Sequence, residues 1–200
     1  NKAVLALKKG KTHIPQFVLV NNNKEHLIYE PGYLISNDFS YANNLVLWAE
    51  YKADLRWSNR EYTSIKVLNI KTKIGKVLIK KSRYFSPEFS PKADKIVVVE
   101  VDKHNKNYLV ILDSFDGLVQ KKISANRNHV IQRPQWSKDG KYVYVIEQTN
   151  VRLREVSLSY NFPRTILEKT FVKNASLSLT GRNLFFLYKK SDNFDPEASY

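Results

Sequence analysis

An all-β fold is predicted by three features of the sequence: short apolar runs, the turn residues that separate them, and a serine register that recurs along the chain. The runs at 45–48, 96–101, 108–112, 142–146 and 184–188 are rich in Val, Ile, Leu, Tyr and Phe, the side chains that suit a pleated, half-buried surface. Between them stand Asn43-Asn44, Lys73 to Gly75, Asp116-Gly117, Asp139-Gly140 and Thr180-Gly181, which read as tight turns. No long stretch carries the 3.6-residue apolar period of an amphipathic helix, and residues 3–9 suit either a short helix or an edge strand.

The register is carried by four segments. They are Phe39-Ser40-Tyr41-Ala42-Asn43-Asn44-Leu45-Val46, Phe89-Ser90-Pro91-Lys92-Ala93-Asp94-Lys95-Ile96, Trp136-Ser137-Lys138-Asp139-Gly140-Lys141-Tyr142-Val143 and Leu177-Ser178-Leu179-Thr180-Gly181-Arg182-Asn183-Leu184. Serines at 40, 90, 137 and 178 give spacings of 50, 47 and 41 residues. A large apolar residue precedes each serine, a turn follows it, and an apolar strand begins by the sixth residue after it. A repeat of that length holding several strands is the period of propeller blades. The expected architecture is therefore a β-propeller of four-stranded antiparallel blades, about four of them, as an incomplete ring or the minimal four-bladed kind. Residues 1–30 are expected to be strands of a preceding blade or an N-terminal extension. Blades are expected near 31–80, 81–125, 126–169 and 170–200, with the serines at equivalent places in each. In each blade the residue before the serine ends the innermost strand, and the serine hydroxyl bonds backbone in the turn. The next strand is buried between neighbouring sheets, which explains the unbroken run Ile96-Val97-Val98-Val99.

The second and third segments resemble the F/W-S-P-D-G-K-x-I blade motif of TolB-like, WD-repeat-like bacterial propellers, a motif also found in the propellers of prolyl-oligopeptidase-type peptidases. The resemblance covers roughly 31–190. The first and fourth copies depart from it, with Tyr41-Ala42 in place of Pro-Asp and Leu177 in place of the aromatic. Leu55-Arg56-Trp57-Ser58-Asn59-Arg60 followed by Ser82-Arg83-Tyr84-Phe85-Ser86-Pro87 also resembles TolB-like segments of larger Bacteroidetes-type cell-envelope proteins. The motif is specific for the fold and not for a function.

Composition narrows the chemistry. The chain has no Cys, which excludes disulfides, thiolate metal sites and cysteine nucleophiles. It also lacks Met, even at position 1, so it reads as a processed or partial chain, and its start is silent about secretion. No apolar run is long enough to span a bilayer. Thirty-three Lys and Arg against 19 Asp and Glu give a net charge of +14, which attracts polyanions and anionic envelope surfaces. The lysines are dispersed along the chain, a pattern that an ordinary solvated surface also produces. No Gly-x-Ser-x-Gly elbow, His-Glu-x-x-His pair or Gly-rich phosphate loop occurs. His13, His26, His104 and His129 are not at ligand spacing, so no metal is expected. The loop 102–107 is only loosely similar to a calcium loop, because Lys106 takes a ligand position and glycine is missing. Asn174-Ala175-Ser176 fits a glycosylation acceptor. No RNA-reading aromatic motif is present, and no specific nucleic acid is expected. No catalytic residue or cofactor is expected either, and the chain by itself should lack hydrolase activity.

In a propeller, function resides on loops at one face and at the mouth of the central channel. Connections into each new blade and the second-to-third-strand hairpins project there. They carry Arg56, Trp57, Arg60, Arg83, Tyr84, His129 and Arg133, the expected partner-binding residues. Arginine with aromatics is the composition of interface anchors, although the same residues also serve to cover blade edges and pair with carboxylates. The TolB-like resemblance implies a protein-interaction scaffold in a periplasmic or cell-envelope assembly, with the cytoplasm as the other compartment. The peptidase resemblance implies an accessory propeller that filters substrate for a larger enzyme. Charge alone implies a polyanion-binding module.

Overall fold

The computed structural model describes residues 3–9, 14–56, 61–126, 129–147, 150–168, 172 and 174–189. The chain divides into two compact units, 1–147 and 148–200.

The first unit is built of successive antiparallel sheets in which neighbours in sequence are neighbours in space. Strands β1 (Val4–Lys9), β2 (Pro15–Asn21) and β3 (Lys24–Tyr29) form a three-stranded sheet. Residues 3–9 thus resolve as an edge strand, with Val4 opposite Val20 and Lys9 opposite Pro15. Strands β4 (Ser40–Ala42), β5 (Leu45–Ala53), β6 (Glu61–Asn69) and β7 (Ile74–Ser82) follow in that order as a four-stranded sheet. Strands β8 (Tyr84–Phe89), β9 (Lys95–Val101), β10 (Asn107–Asp113) and β11 (Val119–Ser124) repeat the arrangement. Strands β12 (Ile131–Trp136) and β13 (Val143–Glu147) pair as a two-stranded sheet. This is the blade unit of a β-propeller, and it matches the all-β fold class expected.

The second strands β5 and β9 are apolar on both faces because both faces are covered, whereas β13, the second strand of its two-stranded sheet, departs from the expectation with Tyr144, Val145 and Ile146 exposed. Along β5, Val46 and Trp48 pack with Phe17 and Leu68, while Leu47 and Ala49 pack with Ile65, Val67, Ile96, Val98 and Leu112. Alternate residues of one strand therefore fill two different inter-sheet layers, as the two-residue side-chain period requires. The layer beside the first sheet is aromatic, with Trp48 edge-on to Phe17 at 5.2 Å and Phe17 edge-on to Phe39 at 5.4 Å. Outer strands behave oppositely. Strand β11 is exposed along its whole length and carries Lys121 and Lys122, charges that protect an unpaired edge.

Glu50 locks the segment that leads into β4. It is buried, and its carboxylate accepts Trp48 Nε1–H at 2.8 Å and Gly32 N–H at 2.9 Å, and pairs with Lys66 Nζ at 2.6 Å. A Cβ at Gly32 would lie 2.7 Å from Glu50 Oε2, so glycine is needed there for close approach.

The motif serines prove to be of three kinds. Ser90 and Ser137 are equivalent. Their hydroxyls accept Lys95 N–H and Tyr142 N–H, both at 3.0 Å, and donate to Asp94 and Asp139 at 2.6 and 2.5 Å. Their carbonyls accept the Ala93 and Gly140 amides. Ser40 lies deeper in its ladder, opposite Leu47, because Asn43 and Asn44, at φ of 48° and 62°, make a two-residue turn. Its hydroxyl accepts Phe89 N–H of the next sheet at 2.9 Å, and Asn43 Nδ2 donates to Lys92 O at 2.9 Å, so this turn links two sheets. Ser178 departs from the expectation, as the second unit shows.

In that unit, β14 (Asn150–Asn161) and β15 (Ser176–Lys189) form a long antiparallel hairpin, with the four-residue helix α1 (Arg164–Leu167) between them. Ser178 sits mid-strand opposite Ser159, their hydroxyls 3.0 Å apart, and Thr180-Gly181 continue the strand opposite Ser157 and Val156. The expected turn is therefore absent there. This copy lacks the Asp that braces the turn after Ser90 and Ser137, and its alternation Leu177, Leu179 suits continued pairing.

That bracing has a pH signature. Hydrogen bonding from Ser90 holds the Asp94 carboxyl below its ordinary value. A depressed folded-state pKa contributes stability that is present above the unfolded value, near pH 4, and is lost as pH falls through the folded one. Ser90→Ala is expected to cost about 1 kcal/mol at pH 7, measured by urea unfolding. The gap from the parent chain should narrow below about pH 4, and a gap constant down to pH 2 would contradict this account.

Candidate functional site

The first strands β8 and β12 of two successive sheets, which a propeller places innermost, converge with the segment leading into β4 on one cavity of about 360 Å³. Its lining comes in three runs of three residues just before the motif serines: Asn37-Asp38-Phe39, Ser86-Pro87-Glu88 and Arg133-Pro134-Gln135. Ser86 and Arg133 occupy the same position relative to their serines. Both have left-handed backbones, at φ of 47° and 46°, and each precedes a buried proline. The ladders shift register at the same place, between Phe85 and Glu88 in β8 and between Gln132 and Gln135 in β12. Proline cannot donate to a ladder, so it sits where the bulge leaves no bond to make. A bulge re-aims the side chains beside it, and here it recurs in neighbouring strands bordering one space.

The charges in this cavity are Asp38, Glu88 and Arg133. Burial pushes the Glu88 carboxyl above its ordinary value; a hydrogen bond from Ser40 opposes that shift, and the negative charge of Asp38 adds to it. Among the described residues no ion pair joins any of the three. Other carboxylates do find cations: Glu50 with Lys66, Glu100 with Lys122 at 2.7 Å, and Asp54 with Lys81 at 3.5 Å.

The seven residues expected from sequence are distributed as follows. Arg133 lines the cavity. Arg56 is exposed in the β5–β6 connection, where its amide donates to Asp54 Oδ1 at 3.0 Å. Trp57 and Arg60 lie outside the described residues. Arg83 joins β7 to β8; its carbonyl accepts Val101 N–H at 3.2 Å, and its Nε is buried without a hydrogen-bond partner among the described residues. Tyr84 opens β8 opposite Glu100. Burial raises its hydroxyl pKa, Glu100 adds to the shift, and Lys122 opposes it. His129 faces the Glu147 carboxylate across the start of β12 and the end of β13. Tyr33, which is exposed and edge-on to Tyr51 at 6.0 Å, borders a second hollow with Glu61 at the β5–β6 end of its blade.

Sequence reasoning missed Asp38, Glu88, Gln135 and Ser86. The signal was available: extending the serine register four residues toward the N-terminus aligns Ser86-Pro87-Glu88-Phe89 with Arg133-Pro134-Gln135-Trp136. Among the described residues no group of three or more metal-ligating side chains occurs, and no helix is long and apolar enough to cross a membrane.

No family model matches the chain, and no curated protein matches it in sequence. Solved structures do. TolB from Acinetobacter baumannii aligns over 74% of this chain and 37% of its own, with a TM-score of 0.55 at 14% identity. An oligogalacturonate lyase in complex with manganese aligns over 74% of this chain and 46% of its own, with a TM-score of 0.55 at 12% identity. The β-propeller domain of the trilobed protease from Pyrococcus furiosus aligns over 74% and 45%, with a TM-score of 0.47 at 15% identity. The chain thus spans less than half the length of each. For the first two, at these identities the likeness is one of fold, and the fold is that of a TolB-like β-propeller.

Proposed function

We propose that this propeller segment is a non-catalytic binding scaffold for a protein partner in a periplasmic or cell-envelope assembly. The partner docks at the cavity of Asp38, Glu88 and Arg133 and contacts Arg56, Trp57, Arg60, Arg83, Tyr84 and His129. One observation carries the reading: the first strands of two successive sheets and the segment leading into β4 border one cavity, and no ion pair joins its charged side chains among the described residues. Charged groups held apart in a cavity are what a binding site offers. The envelope compartment is what the TolB-like resemblance implies.

The test is affinity capture from an envelope fraction, followed by titration of the captured protein against variants. Trp57→Ala and Arg83→Ala should each weaken binding about 30-fold or more, the effect of removing a buried anchor. Lys73→Ala, at an exposed turn, should bind like the parent chain. Folded loop variants that bind like the Lys73 control would refute the docking face.

A second reading, polyanion binding, is favoured by the net charge of +14. It requires an affinity that falls steeply with added salt and responds uniformly to lysine removal.

A further inference from the structure

We propose that the inner-strand cavity reads a pair of opposite charges on an extended partner segment: a Lys or Arg side chain against Asp38 and Glu88, and a nearby Asp or Glu side chain against Arg133. This rests on the scaffold reading above and names the chemistry of its ligand.

Three observations support it. The first is that the cavity holds both signs of charge, unneutralised, in a chain with ample lysine to neutralise its acids. Glu50, Glu100 and Asp54 each have a lysine, whereas Asp38 and Glu88 have none among the described residues. The second is that Arg133 borders the same cavity as both carboxylates, and no ion pair joins it to either among the described residues. Its left-handed backbone and the buried Pro134 after it set the direction in which the side chain leaves the strand. Its exposed guanidinium is free to offer the planar fork that captures a carboxylate in bidentate fashion. The third is size. A cavity of about 360 Å³ lies near the lower end of ligand pockets, about 300–1,000 Å³, and fits side chains rather than a folded surface. Burial disfavours the Glu88 carboxylate while it is alone, and an incoming cation would stabilise it across a less screened separation than at an open surface.

The experiment titrates the full chain with three blocked pentapeptides, Gly-Arg-Gly-Glu-Gly, Gly-Arg-Gly-Gln-Gly and Gly-Gln-Gly-Glu-Gly, followed by NMR shifts. The mixed peptide is expected to bind about tenfold more tightly than either single-charge peptide, a step of about 1.4 kcal/mol. The double variant Asp38→Asn, Glu88→Gln should lose the preference for arginine and keep that for glutamate. Arg133→Gln should do the reverse. The overall charge of +14 repels the basic peptide, so its binding would identify a local site and not the general field. If the acidic peptide binds as tightly as the mixed one, and the double variant leaves it unchanged, the charge-pair inference fails while the cavity stands as an anion site. If no peptide binds at millimolar concentration, the inference fails and the cavity is excluded as the docking site. The loop variants above then judge the scaffold reading separately.

Discussion

Replacing Glu50 with alanine is expected to destabilise the chain by about 3–5 kcal/mol, the cost of stranding the partner of a buried ion pair. Glu50 has little access to solvent, and three donors from three segments meet on it: the Trp48 indole, the Lys66 ammonium and the Gly32 amide. Its removal leaves the indole N–H and the amide without acceptors and the half-buried ammonium without its counter-charge. Glu50→Gln keeps the volume and one acceptor oxygen, so it should cost clearly less than Glu50→Ala. The effect should reach beyond the mutated blade. Residues 31–39 are held to β5 by Gly32, by Tyr51 N–H donating to Tyr33 O at 2.7 Å, and by the bridge of Leu34 with Glu50. The same segment delivers Asp38 to the cavity. Urea unfolding gives the stability, and amide exchange over 31–39 gives the local effect. A loss of stability below about 1 kcal/mol, in the range of an exposed pair, would show that Glu50 is not the lock described.

The second large effect is expected at Ile96. This side chain is wholly buried in one cluster with Leu47, Ile65, Val67, Val98 and Leu112, so it belongs to the layer shared by two consecutive sheets. Ile96→Ala removes apolar contact and leaves a cavity, at a cost of about 2–5 kcal/mol. Val119→Ala on the exposed outer strand β11 is the matched control and should change stability by less than about 0.5 kcal/mol. Equal effects at the two positions would mean that the sheets do not share a packed layer.

These two residues also show how far the sequence could be read. Ile96 was legible: a short unbroken run of β-branched residues after a turn, within a repeat of blade length, reads as a strand covered on both sides, and so a strand between blades. Glu50 was not. Nothing in its neighbours marks a glutamate in a strand as the acceptor for a backbone amide 18 residues earlier. The turns at Ser90 and Ser137 were legible because their hydrogen bonds close within five residues. The same register misled at Ser178, where local pattern allowed a turn and long-range pairing with β14 gave a strand.

For the site the division is similar. Arg133 was identified from its residue type and its expected place on the loop into a new blade, although the structure puts it within β12 at the bulge. Asp38 and Glu88 were missed because their significance lies in each other's proximity, across sheets and 50 residues apart in sequence. By itself the sequence determined the all-β class, the blade period, the alternation that fills two packing layers from one strand, and the excess of positive charge. These are properties of near neighbours, governed by side-chain period, turn chemistry and composition. Only the tertiary structure decided which carboxylates are paired, which serine bridges sheets instead of closing a turn, and which charges share a cavity. Each of those depends on distances between strands, set by packing of the sheets and recorded in no short stretch of the chain.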